Sequence, residues 1–161
     1  MYFFGYHILF YALWAATLGV SAFAFWKGDL AVRLAAATHL AVEIATFFLN
    51  PKFGDAGGES TLLAVDFASA VIFLLLAVRF ANLWIGAAMI LQAAQFSLHA
   101  YYLVMEVAHD RLHAWINNTC DWGILISIGI GAFLAIRRRV AHAREEAERE
   151  ARRLKRGSPA G

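Results

Sequence analysis

His39, Glu43, Thr46 and Asn50 follow one another at spacings of 4, 3 and 4 residues. On a helix that spacing gathers all four within about 60° of arc, so one face carries an imidazole, a carboxyl, a hydroxyl and an amide. Gln92, Gln95, His99, Tyr102 and Glu106 repeat the pattern, and Asp110 and His113 extend it if one helix carries them all. Asp66 with Ser69, and Asn117 and Asn118 with Asp121, add two further polar groupings. Carboxylates and imidazoles are the ligands of zinc and non-haem iron, and they are also the usual parts of a proton relay.

A second cluster is local. In His109-Asp110-Arg111-Leu112-His113 two imidazoles stand at i, i+4, with Glu106 one turn earlier. The run resembles the His-Glu-x-x-His motif of zinc proteases but has Asp110 in place of the glutamate, which shortens the reach of a general base by one methylene. No distant third ligand announces itself, so a solvated loop or a peripheral divalent-metal contact competes with the catalytic reading. The metal candidates are therefore His39, His99, Glu106, His109 and His113. His39 and His99 as axial haem ligands are disfavoured, because the rings fall at different depths.

The elements that carry these residues follow from composition. Of 161 residues, 61% are hydrophobic and 16% charged, against roughly 45–50% and 25% in a soluble domain. So short a chain has too little polar surface to coat a soluble globule. A lone Cys120 excludes an intramolecular disulfide framework, two-cysteine redox motifs and all-cysteine metal sites. About 20 apolar residues cross a membrane as a helix, and five such runs are present: approximately 6–26, 34–49, 61–78, 83–105 and 115–136. Lys27-Gly28-Asp29 ends the first, Asn50-Pro51 the second, and residues 52–59, with three glycines, read as a flexible loop. Arg79-Phe80-Ala81-Asn82 is a tight turn between the third and fourth. The expected architecture is all-α: a five-span transmembrane domain over 1–136 and a charged cytoplasmic helix with a short tail over 137–161.

Charge gives direction. Residues 1–136 hold five Lys/Arg and eight Asp/Glu, whereas 137–161 hold nine and four. Basic residues beside a span mark the cytoplasmic side, and five crossings then place the N-terminus outside, with Lys27, Arg33 and Arg79 all inside. Trp26 and Trp84 fall at the inner boundary, Tyr6 and Trp115 at the outer. The tail favours a helix with i, i+4 pairs such as Glu145 with Arg149, and Arg137, Arg138 and Arg139 are placed for contact with the membrane surface. Nucleic acid is not an expected partner; the lipid bilayer is.

Depth groups the intramembrane polar residues. Glu43, Asp66, His99 and Asp121 each lie about five to seven residues inside the outer end of their span, a shared layer roughly 8–11 Å deep. His39 lies one turn deeper. With Gln92, Gln95 and Asn118 they outline a polar pocket that opens outward. An ionisable group inside a span costs at least about 2.5 kcal/mol and needs a partner or a function. A hydrogen-bonded network that only fixes the bundle and a site that binds a proton, a divalent metal or a small ligand are both open. Gly123, Ser127 and Gly131 form a small-residue seam suited to close helix contact, within the bundle or in a homo-oligomer.

Asp66 near the opening of a span, Arg79 and Trp84 around a tight inner turn, and Gln92 and His99 seven apart resemble small uncharacterised multi-span inner-membrane proteins of alphaproteobacteria. The similarity covers about half the chain. It implies a bacterial inner-membrane location and no particular activity. The basic tail and the His39–Glu43 pair depart from that pattern. The resulting expectation is a non-enzymatic accessory or binding subunit, with a membrane-embedded metalloprotein, enzyme or proton-relay component as the alternative.

Overall fold

The computed structural model describes residues 3–49, 55–107 and 110–157, and these are all helical or short turns, with no strand among them. The five helices are α1 (Phe3–Lys27), α2 (Leu30–Leu49), α3 (Asp55–Phe80), α4 (Leu83–Val104) and α5 (Arg111–Gly157). Each is long and apolar enough to cross a membrane, so the chain is compatible with a multi-pass membrane protein.

Two tight turns and one latch set the topology. Between α1 and α2, Gly28 donates its N–H to the Ala24 carbonyl at 2.7 Å, and Asp29 Oδ1 accepts the N–H of Val32 at 3.0 Å as an N-cap. A Cβ on Gly28 would stand 2.4 Å from the Ala24 carbonyl oxygen, so only glycine fits. Between α3 and α4, Ala81 adopts φ 48° and Asn82 turns extended to start α4. The Asn82 side chain is not spent on capping α4. It accepts Arg138 Nη2 at 3.0 Å, while Arg139 Nη2 donates to the Gly28 carbonyl at 2.9 Å. Neighbouring arginines of α5 thus hold both turns at one end of the bundle, called here the tail end. That fixes an up-down order: α1 and α3 finish there, α2 and α4 begin there, and α5 passes through it. In sequence order each helix packs on the next, α5 returns beside α1, and α2 also touches α5.

The interior is divided along its length. Ala24, Ala35, Phe73, Leu76, Trp84, Ile85, Ala88, Ile128 and Ala132 form a continuous buried apolar cluster, most of it within about ten residues of the tail end. The buried polar residues Asp66, Gln95 and Asp121 lie beyond it, toward the opposite end. The outer surface is apolar, with Leu18, Trp26, Leu75, Val78, Leu83, Ile90 and Phe133 all exposed. Such a continuous apolar exterior calls for a non-aqueous surrounding.

Several expectations are corrected. Residues 55–59 are not a loop but the first turns of α3. Extending the backbone ladder there offsets the cost of the glycines, about 1 kcal/mol each. Asp66 consequently stands about ten residues inside α3, and because α5 begins at Arg111, Asp121 stands about ten inside α5, each deeper along its own helix than the apolar runs suggested. Trp84, the second residue of α4 at the tail end, is buried because Gly131 admits the indole: a Cβ on Gly131 would lie 2.6 Å from the ring. Gly123 similarly receives Leu91 of α4. At Gly123 and Gly131 the seam is thus packed against α4 within the chain. The charged tail continues α5 without a break, exposed from Arg137 through Arg153.

Candidate functional site

The site is built where α2, α3, α4 and α5 face one another beyond the apolar cluster. Asp66 of α3 projects to His99 of α4, and Asp66 Oδ2 contacts His99 Nδ1 directly. The Asp66 side chain is 9% exposed and that of His99 23%. One turn after Asp66, the Ser69 hydroxyl donates to the Asp66 carbonyl at 2.9 Å. Between α4 and α5, Gln95 Nε2 donates to Asp121 Oδ1 at 2.5 Å and to Asn117 Oδ1 at 3.2 Å, while Asn117 Nδ2 donates to Asp121 Oδ2 at 3.2 Å. Both Asp121 oxygens are engaged by amides. On α2, Glu43 Oε1 stands 3.9 Å from His39 Nε2, and the Glu43 side chain is 15% exposed. Glu43 lies within the electrostatic range of Asp66 and Asp121, and Asp121 within that of Asp66 and His99. Four helices thus bring three carboxyls and one imidazole to one level. No lysine or arginine shares that level among the described residues.

From this layer a file of polar rings leads to the end opposite the tail. The His99 and His113 rings lie 5.0 Å apart, tilted by 31°, and the Tyr102 ring meets His113 edge-on at 4.7 Å. The Tyr102 hydroxyl and the backbone N–H of His113 both donate to Asp110 Oδ1 at 2.8 Å. Asp110 is exposed. The His113 N–H, then the Tyr102 hydroxyl, hold its carboxyl below the usual carboxylate range.

On the tail side of the layer, Thr17 Oγ1, His39 Nε2 and Gln92 Nε2 are buried without a hydrogen-bond partner among the described residues. Each such atom costs about 1–3 kcal/mol. Beyond them the apolar cluster begins.

The zinc-protease-like run is divided between a turn and the start of α5. Helix α4 stops at Val104 in a Schellman arrangement: Val107 N–H bonds the Tyr102 carbonyl at 3.2 Å, Glu106 N–H bonds the Leu103 carbonyl at 3.3 Å, and Glu106 takes φ 51°. Glu106 is exposed in that turn, and His113 belongs to the next helix. Asp110 is the N-cap of α5, its carboxyl accepting the amide three residues on. His109 lies outside the described residues. Among the described residues no three His, Cys, Asp or Glu side chains converge as a metal-holding set. His39 and His99 sit at different levels, each beside its own carboxyl. Asn117, one full turn before Asp121, takes the place expected of Asn118. Of the three arginines expected at the membrane surface, Arg138 and Arg139 are engaged by the two turns, and Arg137 is exposed. The latch was missed in the sequence, although Gly28 and Asn82, in turns at the basic end, were the signal for it. No protein-family model, curated protein or solved structure matches the chain.

Proposed function

We propose that the chain is a non-enzymatic multi-pass membrane protein, an accessory or binding subunit, whose carboxyl–imidazole layer takes up and releases protons from the end opposite the tail. The carrying observation is the Asp66–His99 contact with Glu43 and Asp121 within electrostatic range of Asp66, at a level where the described residues include no lysine or arginine. In low-dielectric surroundings three carboxylates are not neutralised by a single imidazolium, so protons complete the charge balance. A proton needs no converging ligand sphere, whereas zinc or iron needs three or four donors at fixed distances.

The file Asp110, Tyr102, His113, His99 supports exchange with the opposite end. The apolar cluster at the tail end supports uptake and release on one side rather than conduction across the bundle. Lys27, Arg33, Arg79 and Arg137 through Arg139 at the tail end support a cytoplasmic tail and a periplasmic N-terminus. The resemblance carried by Asp66, Arg79, Trp84, Gln92 and His99 supports a bacterial inner membrane.

Infrared difference spectra of the purified chain in lipid nanodiscs, recorded between acid and alkaline buffer, test the reading. Protonated-carboxyl bands are expected to appear on acidification, with one contribution lost in each of Glu43→Gln, Asp66→Asn and Asp121→Asn. A spectrum in which none of the three variants alters a titrating band overturns it.

A further inference from the structure

Just on the tail side of the carboxyl layer, His39 Nε2 on α2 and Gln92 Nε2 on α4 are buried polar atoms with no hydrogen-bond partner among the described residues. Both residues are 1% exposed. Each stands about nine residues, or about 13–14 Å, from the tail-end terminus of its helix, so they share a level. Helices α2 and α4 both pack on α3 and α5, so the two side chains enter the same four-helix interior. His39 Nε2 faces Glu43 Oε1 at 3.9 Å, too long for a direct hydrogen bond. Both unpartnered atoms therefore lie in one interior at one level.

The chemistry of these atoms selects the occupant. An amide N–H donor and an imidazole nitrogen, set beside a carboxyl, ask for a molecule that both donates and accepts. Interior polar groups without protein partners are ordinarily satisfied by buried water making about three hydrogen bonds. We infer that His39 and Gln92 form a water-binding station, and that its water joins His39 to Glu43 and carries the proton-binding layer one turn deeper, to the edge of the apolar cluster. The proton role rests on the function proposed above, whereas the water site rests on the buried atoms alone. The titratable groups buried on the helices around α2 are Asp66 of α3, and Cys120 and Asp121 of α5, beside Glu43 of α2 itself. Helix α1 contributes the buried hydroxyls of Thr17 and Ser21.

The test is proton-detected solid-state NMR on the full chain in lipid nanodiscs, with nitrogen-labelled histidine and glutamine side chains and magnetisation transferred from water. Fast transfer to both His39 and Gln92 is expected, with at least a threefold loss at His39 in Gln92→Leu. Absence of transfer to either side chain in the wild-type chain overturns the inference, a measurement that holds even if the variant does not fold. Unchanged transfer at His39 in a folded Gln92→Leu variant also overturns it. Carboxyl bands that fail to titrate while His39 and Gln92 still receive magnetisation would remove the proposed proton role and leave the water site standing.

Discussion

Gln95 on α4 and Asp121 on α5 meet across 2.5 Å, amide to carboxylate, and Asn117 closes the triangle from one turn away on the same helix as Asp121. The arrangement ties the two helices together in the interior, where an amide is an economical partner: it donates to the carboxylate without adding a second charge to be desolvated.

Asp121→Ala leaves the Gln95 and Asn117 amides without their shared acceptor. A loss of about 1–3 kcal/mol is expected, with Asp121→Asn falling between wild type and alanine because one acceptor oxygen is kept. Thermal unfolding in detergent micelles checks the order, and an Asp121→Ala chain as stable as wild type would contradict the network.

Asp66 and His99 form the direct carboxyl–imidazole contact of the layer. His99→Ala strands a buried carboxyl and is expected to cost about 3 kcal/mol, the low end for breaking a buried pair because His99 is partly exposed. In the combined Asp66→Asn, His99→Ala chain the loss should be smaller than the sum of the single losses. A double-mutant cycle with strictly additive losses would show that the two side chains are not coupled.

The Asp110 cap makes the start of α5 sensitive to acid. Its carboxyl is held below the ordinary value by the His113 N–H and then the Tyr102 hydroxyl. The stabilisation is therefore complete above the unfolded aspartate value, about 3.9, and is lost as pH falls through the lower folded value. Amide exchange at His113 should accelerate in that acid window in wild type. Asp110→Asn should remove the carboxyl-dependent step; an identical acid step in that variant rules the cap out as its source.

Glycines separate into required and free positions. Gly28→Ala drives a methyl against the Ala24 carbonyl and Val32, whereas Gly19→Ala meets nothing within 4 Å. The first should lower stability by about 1–3 kcal/mol, and the second should raise it by up to about 1 kcal/mol through helix propensity. Melting temperatures of the two variants that move in the same direction would refute the packing argument.

The five helices were legible because apolar runs of membrane length are a strong, local signal, and the charges flanking them agreed on one direction. The grouping of Asp66 with His99 was legible for the same reason, since helical rise converts residue number into height, whereas the depths of Asp66 and Asp121 along their helices were underestimated. What stayed hidden depends on contacts distant in sequence or on backbone geometry. Glu106 ends α4 in a left-handed turn that a glycine would have advertised and a glutamate does not. Arg138 and Arg139 read as surface charges because their partners, Asn82 and Gly28, lie more than fifty residues away. The seam at Gly123 and Gly131 was visible, but which helix fills it depended on Trp84 and Leu91.

The unbroken course of α5 has a mechanical consequence. One rigid rod carries Asp121 at one station and the charged tail at another, and the Arg138 and Arg139 contacts grip it between them. Asp121 stands about 26 Å from that grip on one side, and Gly157 about 27 Å on the other. The helix that holds one of the buried carboxyls is therefore the same element that carries the charged tail, so a helix break at the grip would uncouple the two.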